Sequence, residues 1–353
     1  MEKVSVLQIV PHRGHGGVES VASSILDMEQ SDYNIYYAYY IKGAGDELID
    51  NKVYIGGIWS LVKFVFANKI KIIHSHSPFL YWMFIVRVVS LFFNVKVVTS
   101  VHSDFGLSNE IPLYKKGRRF FILKVINSIY YKIVCDHWVA VSEPVKRFLI
   151  DRVGVDDRIV SVVNNYVLRT DIDVNLSRSR DSIVFIGRDS PEKNVITLVN
   201  SFNEIKTGYP GVRLVLIGIE ESSKSLVHCD MRQIQAVGWL SQDEIDNYMG
   251  HAIFQVIPSF YEGFPLACLQ GLEKNIPLIA FPIPIFNFLS MTLSGIFLTE
   301  DFSSMSLTNT MRCVLERTLN GYKIDAKCTI ANSFSKREFL SGYCKVYNYL
   351  LNN

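Results

Sequence analysis

Short apolar runs alternate with longer stretches in which apolar residues return every three or four positions, and this alternation occurs twice along the chain. In the first half, residues 4–10, 33–40, 52–55, 70–74, 96–101 and 137–141 have the length and the β-branched or aromatic content of strands. Residues 18–28, 59–67, 79–93, 118–134 and 143–152 carry the helical period between them. A polar stretch around residues 164–180, with no apolar period, predicts a linker. A second series then begins, with strands at 182–187, 212–218, 234–237, 254–257, 277–281 and 295–298. Its helices are predicted at 195–206, 242–249, 266–273 and 305–319, and a last one at 335–351. Strands alternating with helices build parallel sheets, so the pattern predicts two α/β domains, each a doubly wound Rossmann-like sheet, with a ligand crevice at the carboxyl ends of the strands.

The predicted boundaries are 1–165 for the first domain, 166–181 for the linker and 182–332 for the second domain. Residues 333–353 are expected to pack back toward the first domain. A length of 353 residues, 49% hydrophobic and 20% charged, suits two buried cores. Thirty-six basic and 34 acidic residues leave a net charge of +2, which gives no general attraction to nucleic acid. The cysteines, at 135, 229, 268, 313, 328 and 344, form no CxxC pair, so no zinc or disulfide framework is expected. Residues 1–17 lack the pattern of a signal peptide, and the apolar run at 79–93 is too short to span a bilayer and contains Arg87. A cytoplasmic protein is the expectation.

Three segments carry candidate chemistry. Gly16 and Gly17 stand between the first strand and the first helix, either as an anion cradle at a helix N-terminus or as an ordinary tight turn. At the head of the second domain, Gly187 and Arg188 close a strand and Lys193 opens the next helix; two cations there can converge on a pyrophosphate. In PSFYEGFPLACLQ, Glu262 precedes Gly263 and a helix beginning near Leu266, so a carboxylate and exposed backbone amides meet at one turn, with Gln270 eight residues on.

Taken in order, GGVE near the start, TSVHSDF, the GR…K pair and the glutamate of PSFYEGF resemble the retaining GT-B glycosyltransferases of family 4, over essentially the whole chain. The resemblance implies two Rossmann-like domains facing each other across a cleft. It also implies transfer of a hexose or N-acetylhexosamine from a nucleotide-diphosphate sugar, with UDP as the expected nucleotide, without a metal or other cofactor. The acceptor it implies is a glycan or lipid-linked oligosaccharide in surface polysaccharide assembly, such as O-antigen, capsule or exopolysaccharide. His102 matches the family histidine beside the transferred sugar, and Arg188 and Lys193 match the pair that holds the diphosphate. Glu262 matches the first glutamate of the E-x7-E motif, which contacts the donor sugar, with the amides of Gly263, Phe264 and Leu266 lining the same pocket. Gly16 and Gly17 would face the donor phosphates and the acceptor, and Gly187 the donor. Read from the residues alone, His12 and His15 flank the glycine turn within reach of an acceptor, and His74 and His76, alternate positions on a strand end, take structural or acceptor-side roles rather than forming a zinc site.

Two positions depart from the family pattern. Gln270 stands where the second glutamate holds the ribose, so a carboxylate restored there is expected to bind the donor equally or more tightly. Residues 281–288, FPIPIFNF, replace a glycine-rich loop followed by an acid. The same architecture also serves nucleotide-sugar epimerases and hydrolases, and non-catalytic accessory subunits, which stay as alternatives. Between Lys115 and Lys132 six basic residues interleave with aromatics and no acid, which suggests contact with an anionic membrane surface and a peripheral location on the inner face of the plasma membrane.

Overall fold

The computed structural model describes residues 3–12, 17–30, 32–42, 52–76, 80–103, 131, 133–167, 180–321 and 333–353. Contacts divide the chain into two compact units, Met1–Asn165 with Arg337–Asn353, and Tyr166–Lys336. Residues 118–130 and 132 of the predicted helix at 118–134, and most of the predicted linker, lie outside the described residues.

The first unit holds one parallel sheet. Its strands are β1 (Val4–His12), β2 (Tyr33–Ile41), β3 (Lys52–Tyr54), β4 (Ile72–Ser75), β5 (Lys96–Val101), β6 (His137–Ala140) and β7 (Val160–Val162). They are ordered β3-β2-β1-β4-β5-β6-β7. The second unit repeats the plan with β8 (Ser182–Ile186), β9 (Arg213–Ile217), β10 (Ile234–Gly238), β11 (Ala252–Ile257), β12 (Leu278–Ala280) and β13 (Ile296–Leu298), ordered β10-β9-β8-β11-β12-β13. In both sheets the strand order reverses beside the first strand, between β1 and β4 and between β8 and β11. That reversal opens a crevice at the carboxyl ends, where the connecting chains leave in opposite directions.

Continuous apolar runs explain the burial. Every residue of β11, AIFQVI, is buried, as a strand covered on both faces requires. Helix Val195–Ile205 buries Val195, Leu198, Val199, Phe202 and Ile205, the three- and four-residue spacing of one helical face. Helix Lys336–Asn352 buries Phe339, Tyr343, Val346, Tyr347 and Leu350 in the same way, and belongs from Arg337 onward to the first unit. Its Gly342 lets the helix lie close: a Cβ there would stand 3.0 Å from Val163 Cγ1.

Two elements differ from the sequence expectation. β7 was not anticipated, because VSV is too short to show a period. Residues 284–290 form a helix, Pro284–Ser290, where no element was anticipated, overlapping the FPIPIFNF stretch. Proline suits the first helical turn, where its missing N–H would have no acceptor.

Candidate active site

In the second unit the candidate residues gather at the sheet's reversal point. β8 ends at Ile186, and the Gly187 N–H donates to Ile217 O at 2.9 Å. Gly218, just past β9, has φ +86°, and a Cβ there would fall 2.6 Å from Gly187 O. Only glycine permits both that backbone conformation and that approach. After Gly187 the chain makes a single turn, Pro191–Lys193. The Phe260 N–H donates to Glu192 O at 2.8 Å and ties this turn to the loop that follows β11.

Across that tie, Lys193 Nζ donates to Glu262 Oε1, and Ser259 Oγ donates to the same oxygen at 2.7 Å. Both side chains of the ion pair are largely buried, Lys193 21% and Glu262 11% exposed, where a charge-assisted bond is stronger than in water. Arg188 goes elsewhere: its Nη2 donates to Glu192 Oε1 at 3.2 Å and its side chain is 69% exposed. The structure therefore brings Lys193 and Glu262 into contact and leaves Arg188 at the rim.

The loop then enters helix Leu266–Glu273, whose first N–H groups have no acceptor within the helix. The Phe264 ring is buried and packs edge-on against Phe334 at 5.3 Å, so only its backbone is on offer. Gln270, one turn before the end of this helix, donates from Nε2 to Gln242 Oε1 at 3.2 Å. Gln242 in turn donates from Nε2 to Asp246 Oδ1 at 3.1 Å, and Lys274 pairs with the same Asp246 oxygen at 3.4 Å. Gln242 opens its helix behind a capping box, in which Glu244 accepts from the Ser241 N–H at 2.8 Å. The amide of Gln270 is thus held by its nitrogen, with its oxygen left as the acceptor.

In the first unit the reversal point carries a hydrogen-bonded relay. The Gln8 amide sets its direction. Gln8 Oε1 accepts from His76 Nε2 at 2.8 Å, and Gln8 Nε2 donates to Tyr347 Oη at 2.8 Å. His76 must then carry its proton on Nε2, so its Nδ1 accepts from His102 Nε2 at 2.9 Å. On the other side Tyr347 Oη donates to His74 Nδ1 at 2.7 Å, and His74 Nε2 donates to Ser100 Oγ at 2.7 Å. Tyr343 Oη lies 3.3 Å beyond Ser100 Oγ. Burial holds all three imidazoles neutral. It lowers His102 to about 4, and it puts His74 and His76 well below the ordinary range, with neighbouring imidazoles adding to the effect.

Of the structural and acceptor-side roles expected for His76, its surroundings fit the structural one. It is 1% exposed with both ring nitrogens bonded inside the protein, so it supports His102. Gln8, Ser100, Tyr343 and Tyr347 were not anticipated, since nothing in the local sequence marks them. His12 ends β1 and is exposed, and Gly17 opens helix Gly17–Ser24; Gly16 and His15 lie outside the described residues.

Two tandem parallel sheets, each reversing beside its first strand, with an ion pair at the second reversal point, define a GT-B glycosyltransferase fold. Residues 40–167 match Glycosyltransferase Family 4 and residues 180–317 match the glycosyl transferases group 1. The chain belongs to this family of glycosyltransferases. It is similar to the O-antigen chain mannosyltransferase RfbU of Salmonella typhimurium, 23% identical over 221 residues that cover 59% of this chain and 62% of that protein. The match thus spans about three-fifths of that relative's length. It is also 25% identical over 301 residues, 78% of this chain, to the UDP-Gal:alpha-D-GlcNAc-diphosphoundecaprenol alpha-1,3-galactosyltransferase of Escherichia coli, covering 74% of that protein. The structure of Anabaena HepE in complex with UDP and glucose superposes with a TM-score of 0.76 at 15% identity, covering 97% of this chain and 99% of that one. At that identity the likeness is one of fold.

Proposed function

We propose that the protein is a retaining transferase that moves a hexose or N-acetylhexosamine from a nucleotide-diphosphate sugar, with UDP as the nucleotide, to a glycan or lipid-linked acceptor of a surface polysaccharide. The observation that carries the reading is the shared Glu262 oxygen, taken by Lys193 and Ser259 at the carboxyl edge of the second sheet. A carboxylate held there accepts from sugar hydroxyls, and the ammonium beside it meets the diphosphate whose charge grows as the sugar departs. Arg188, exposed on the same turn, adds a second cation, so the site supplies the diphosphate's countercharge from side chains without a metal ion. His102, neutral and held through its Nε2–H, offers Nδ1 or its backbone to the sugar. The names of the relatives from Salmonella and Escherichia coli support the acceptor class, and the UDP bound to the Anabaena protein supports the nucleotide.

Incubation with a panel of labelled nucleotide sugars and no acceptor tests this. Slow release of free sugar and nucleotide diphosphate, first from UDP donors, is the expected result. Interconversion of sugars would make the protein an epimerase, and absence of donor binding an accessory subunit.

Lys193→Ala is expected to weaken nucleotide-diphosphate binding by about tenfold or more, the value of one charge-assisted contact. Calorimetry on the folded variant decides it: unchanged affinity removes Lys193 from the diphosphate.

The contacts of Gln270 support a different expectation from the one drawn from sequence. A glutamate at 270 has no proton for Gln242 Oε1. If the Gln242 amide turns to donate to it, its oxygen faces Asp246 Oδ1. Gln270→Glu is therefore expected to weaken donor binding about five- to tenfold, the scale of one acceptor left unpaired. Adding Asp246→Asn gives the turned amide a donor and restores part of the loss. A donor titration of the two single variants and the double variant reads the coupling, and additive losses would show that Gln242 does not link the two positions.

A further inference from the structure

Helices Ile58–Ala67 and Leu80–Phe93 of the first unit pack against each other and expose several of their large apolar side chains. Trp59 is 77% exposed, Phe66 74%, Tyr81 73%, Phe84 60%, Leu91 69% and Phe92 83%. In helix Leu80–Phe93 the exposed positions 81, 84, 91 and 92 share one face, and no charged side chain stands on it. Arg87 is the helix's one charged residue, and it is turned to Asp136 at 2.9 Å. The opposite face, with Trp82, Met83, Ile85, Val86 and Val89, is already buried in the unit. The helix is thus apolar all round although only one side meets a core, which is the mark of an element with a second apolar contact.

The segment that carries this flank is basic, and Asp136, the acid beside it, is taken up by Arg87. From residue 51 to residue 103 there are six lysines and arginines and no aspartate or glutamate. Lys63, Lys69 and Lys71 are exposed beside the two helices. Lysines 71 and 96 begin neighbouring strands, joined by the Lys96 N–H donating to Lys71 O at 3.0 Å, at the same end of the unit as Leu91 and Phe92. A second copy of this flank would bring like charges together, whereas an anionic surface neutralises them. Tryptophan, tyrosine and phenylalanine with lysine are the side chains that settle at a lipid headgroup boundary. No helix among the described residues is long and apolar enough to cross a membrane, so the contact would be one of lying on it.

From this geometry we infer that the outer flank of helices Ile58–Ala67 and Leu80–Phe93 docks on the surface of a bilayer containing anionic lipid. The aromatic and leucine side chains enter the headgroup boundary, and the lysines pair with lipid phosphates. This docking face is built from residues other than 115–132 and does not depend on which donor the protein uses.

The test is flotation of the full chain with vesicles of phosphatidylcholine alone or mixed with phosphatidylglycerol, at low and high salt, with gel filtration of the same samples. The wild type is expected to float with the anionic vesicles and to be released by salt. Phe84→Ser/Leu91→Ser/Phe92→Ser, all at exposed positions, should lose about tenfold or more in vesicle affinity while its circular dichroism is unchanged. Lys63→Gln/Lys69→Gln/Lys71→Gln should lose the salt-sensitive part. Trp59 gives an independent readout: a blue shift on adding anionic vesicles, present in the wild type and missing in Trp59→Phe, supports the docking even if the triple variant folds poorly. The inference is overturned if the wild type does not float, or if the apolar variant floats as well as the wild type, which would leave residues 115–132 as the sole contact. A wild-type dimer that the apolar variant dissociates, without vesicle binding, would assign the face to a second copy.

Discussion

Glu262→Ala should lower turnover by about a hundredfold or more, roughly 3 kcal/mol of transition-state stabilisation, and leave affinity for the bare nucleotide diphosphate unchanged or improved. Both parts follow from one oxygen. Glu262 Oε1 takes the Lys193 ammonium and the Ser259 hydroxyl, so the carboxylate is fixed in orientation before any ligand arrives. Fixed acceptors aimed at a departing sugar stabilise it without reorganising during the reaction, and their loss falls mainly on the rate. The same carboxylate neutralises Lys193 in the unliganded site. Removing it leaves an ammonium that is 21% exposed and without this partner, which then acts in full on the diphosphate. Calorimetry with nucleotide diphosphate, alongside steady-state rates with the sugar nucleotide, separates the two effects. A collapse of diphosphate affinity in Glu262→Ala would place this carboxylate on the ribose and shift the register of the whole motif.

Acid should unfold the first unit well before it affects isolated carboxylate pairs. Its three relay histidines are neutral in the folded state, His102 with its value lowered to about 4 and the other two well below the ordinary imidazole value, chiefly by burial. His137, buried against Ser161 at 2.9 Å, is likewise lowered to about 4. In the unfolded chain each imidazole takes a proton near pH 6.5. Below that value the unfolded state binds more protons than the folded one, so stability falls as pH falls from about 6.5 toward 4. Four imidazoles together give a slope of up to about 5 kcal/mol per pH unit, against a typical domain stability of about 5–15 kcal/mol. Urea midpoints followed through the buried Trp138 should therefore drop steeply between pH 6.5 and 5 and be flat between pH 7 and 8. His74→Gln should make the slope shallower. A midpoint that does not change from pH 7 to 5 would show that the relay accepts protons without opening.

Much of this architecture was readable from periodicity, and the limits are physical. The buried strands betray themselves as unbroken apolar runs, and the glycine, lysine and glutamate of the second unit stand at strand ends, where a pattern reading looks for them. What sequence could not supply was the partner of each polar side chain. Gln8 and Tyr347 are 339 positions apart, so neither their bond nor its dependence on Gly342 has a local signature. The role of His76 stays open in the sequence because alternate histidines on a strand end are ambiguous until one knows that the next strand brings His102 against it. Gln270 looked like a weakened glutamate for the same reason: its donor role appears only once Gln242 and Asp246 stand beside it.

The relay ends on residues 343 and 347, and that has a consequence for synthesis. A ribosome releases strand β1 first and helix Lys336–Asn352 some 320 residues later, after the entire second unit. Until then Gln8 and His74 lack the tyrosine hydroxyl that joins them, and the first sheet waits with buried polar groups unsatisfied. The second unit can close from a continuous stretch of chain, whereas the first is completed only by residues 337–353, made after that unit. A fragment cut at residue 165 is expected to expose the Phe339, Tyr343 and Tyr347 binding surface and to aggregate. Fusing residues 337–353 ahead of residue 1 through a flexible linker should yield a first unit that folds by itself.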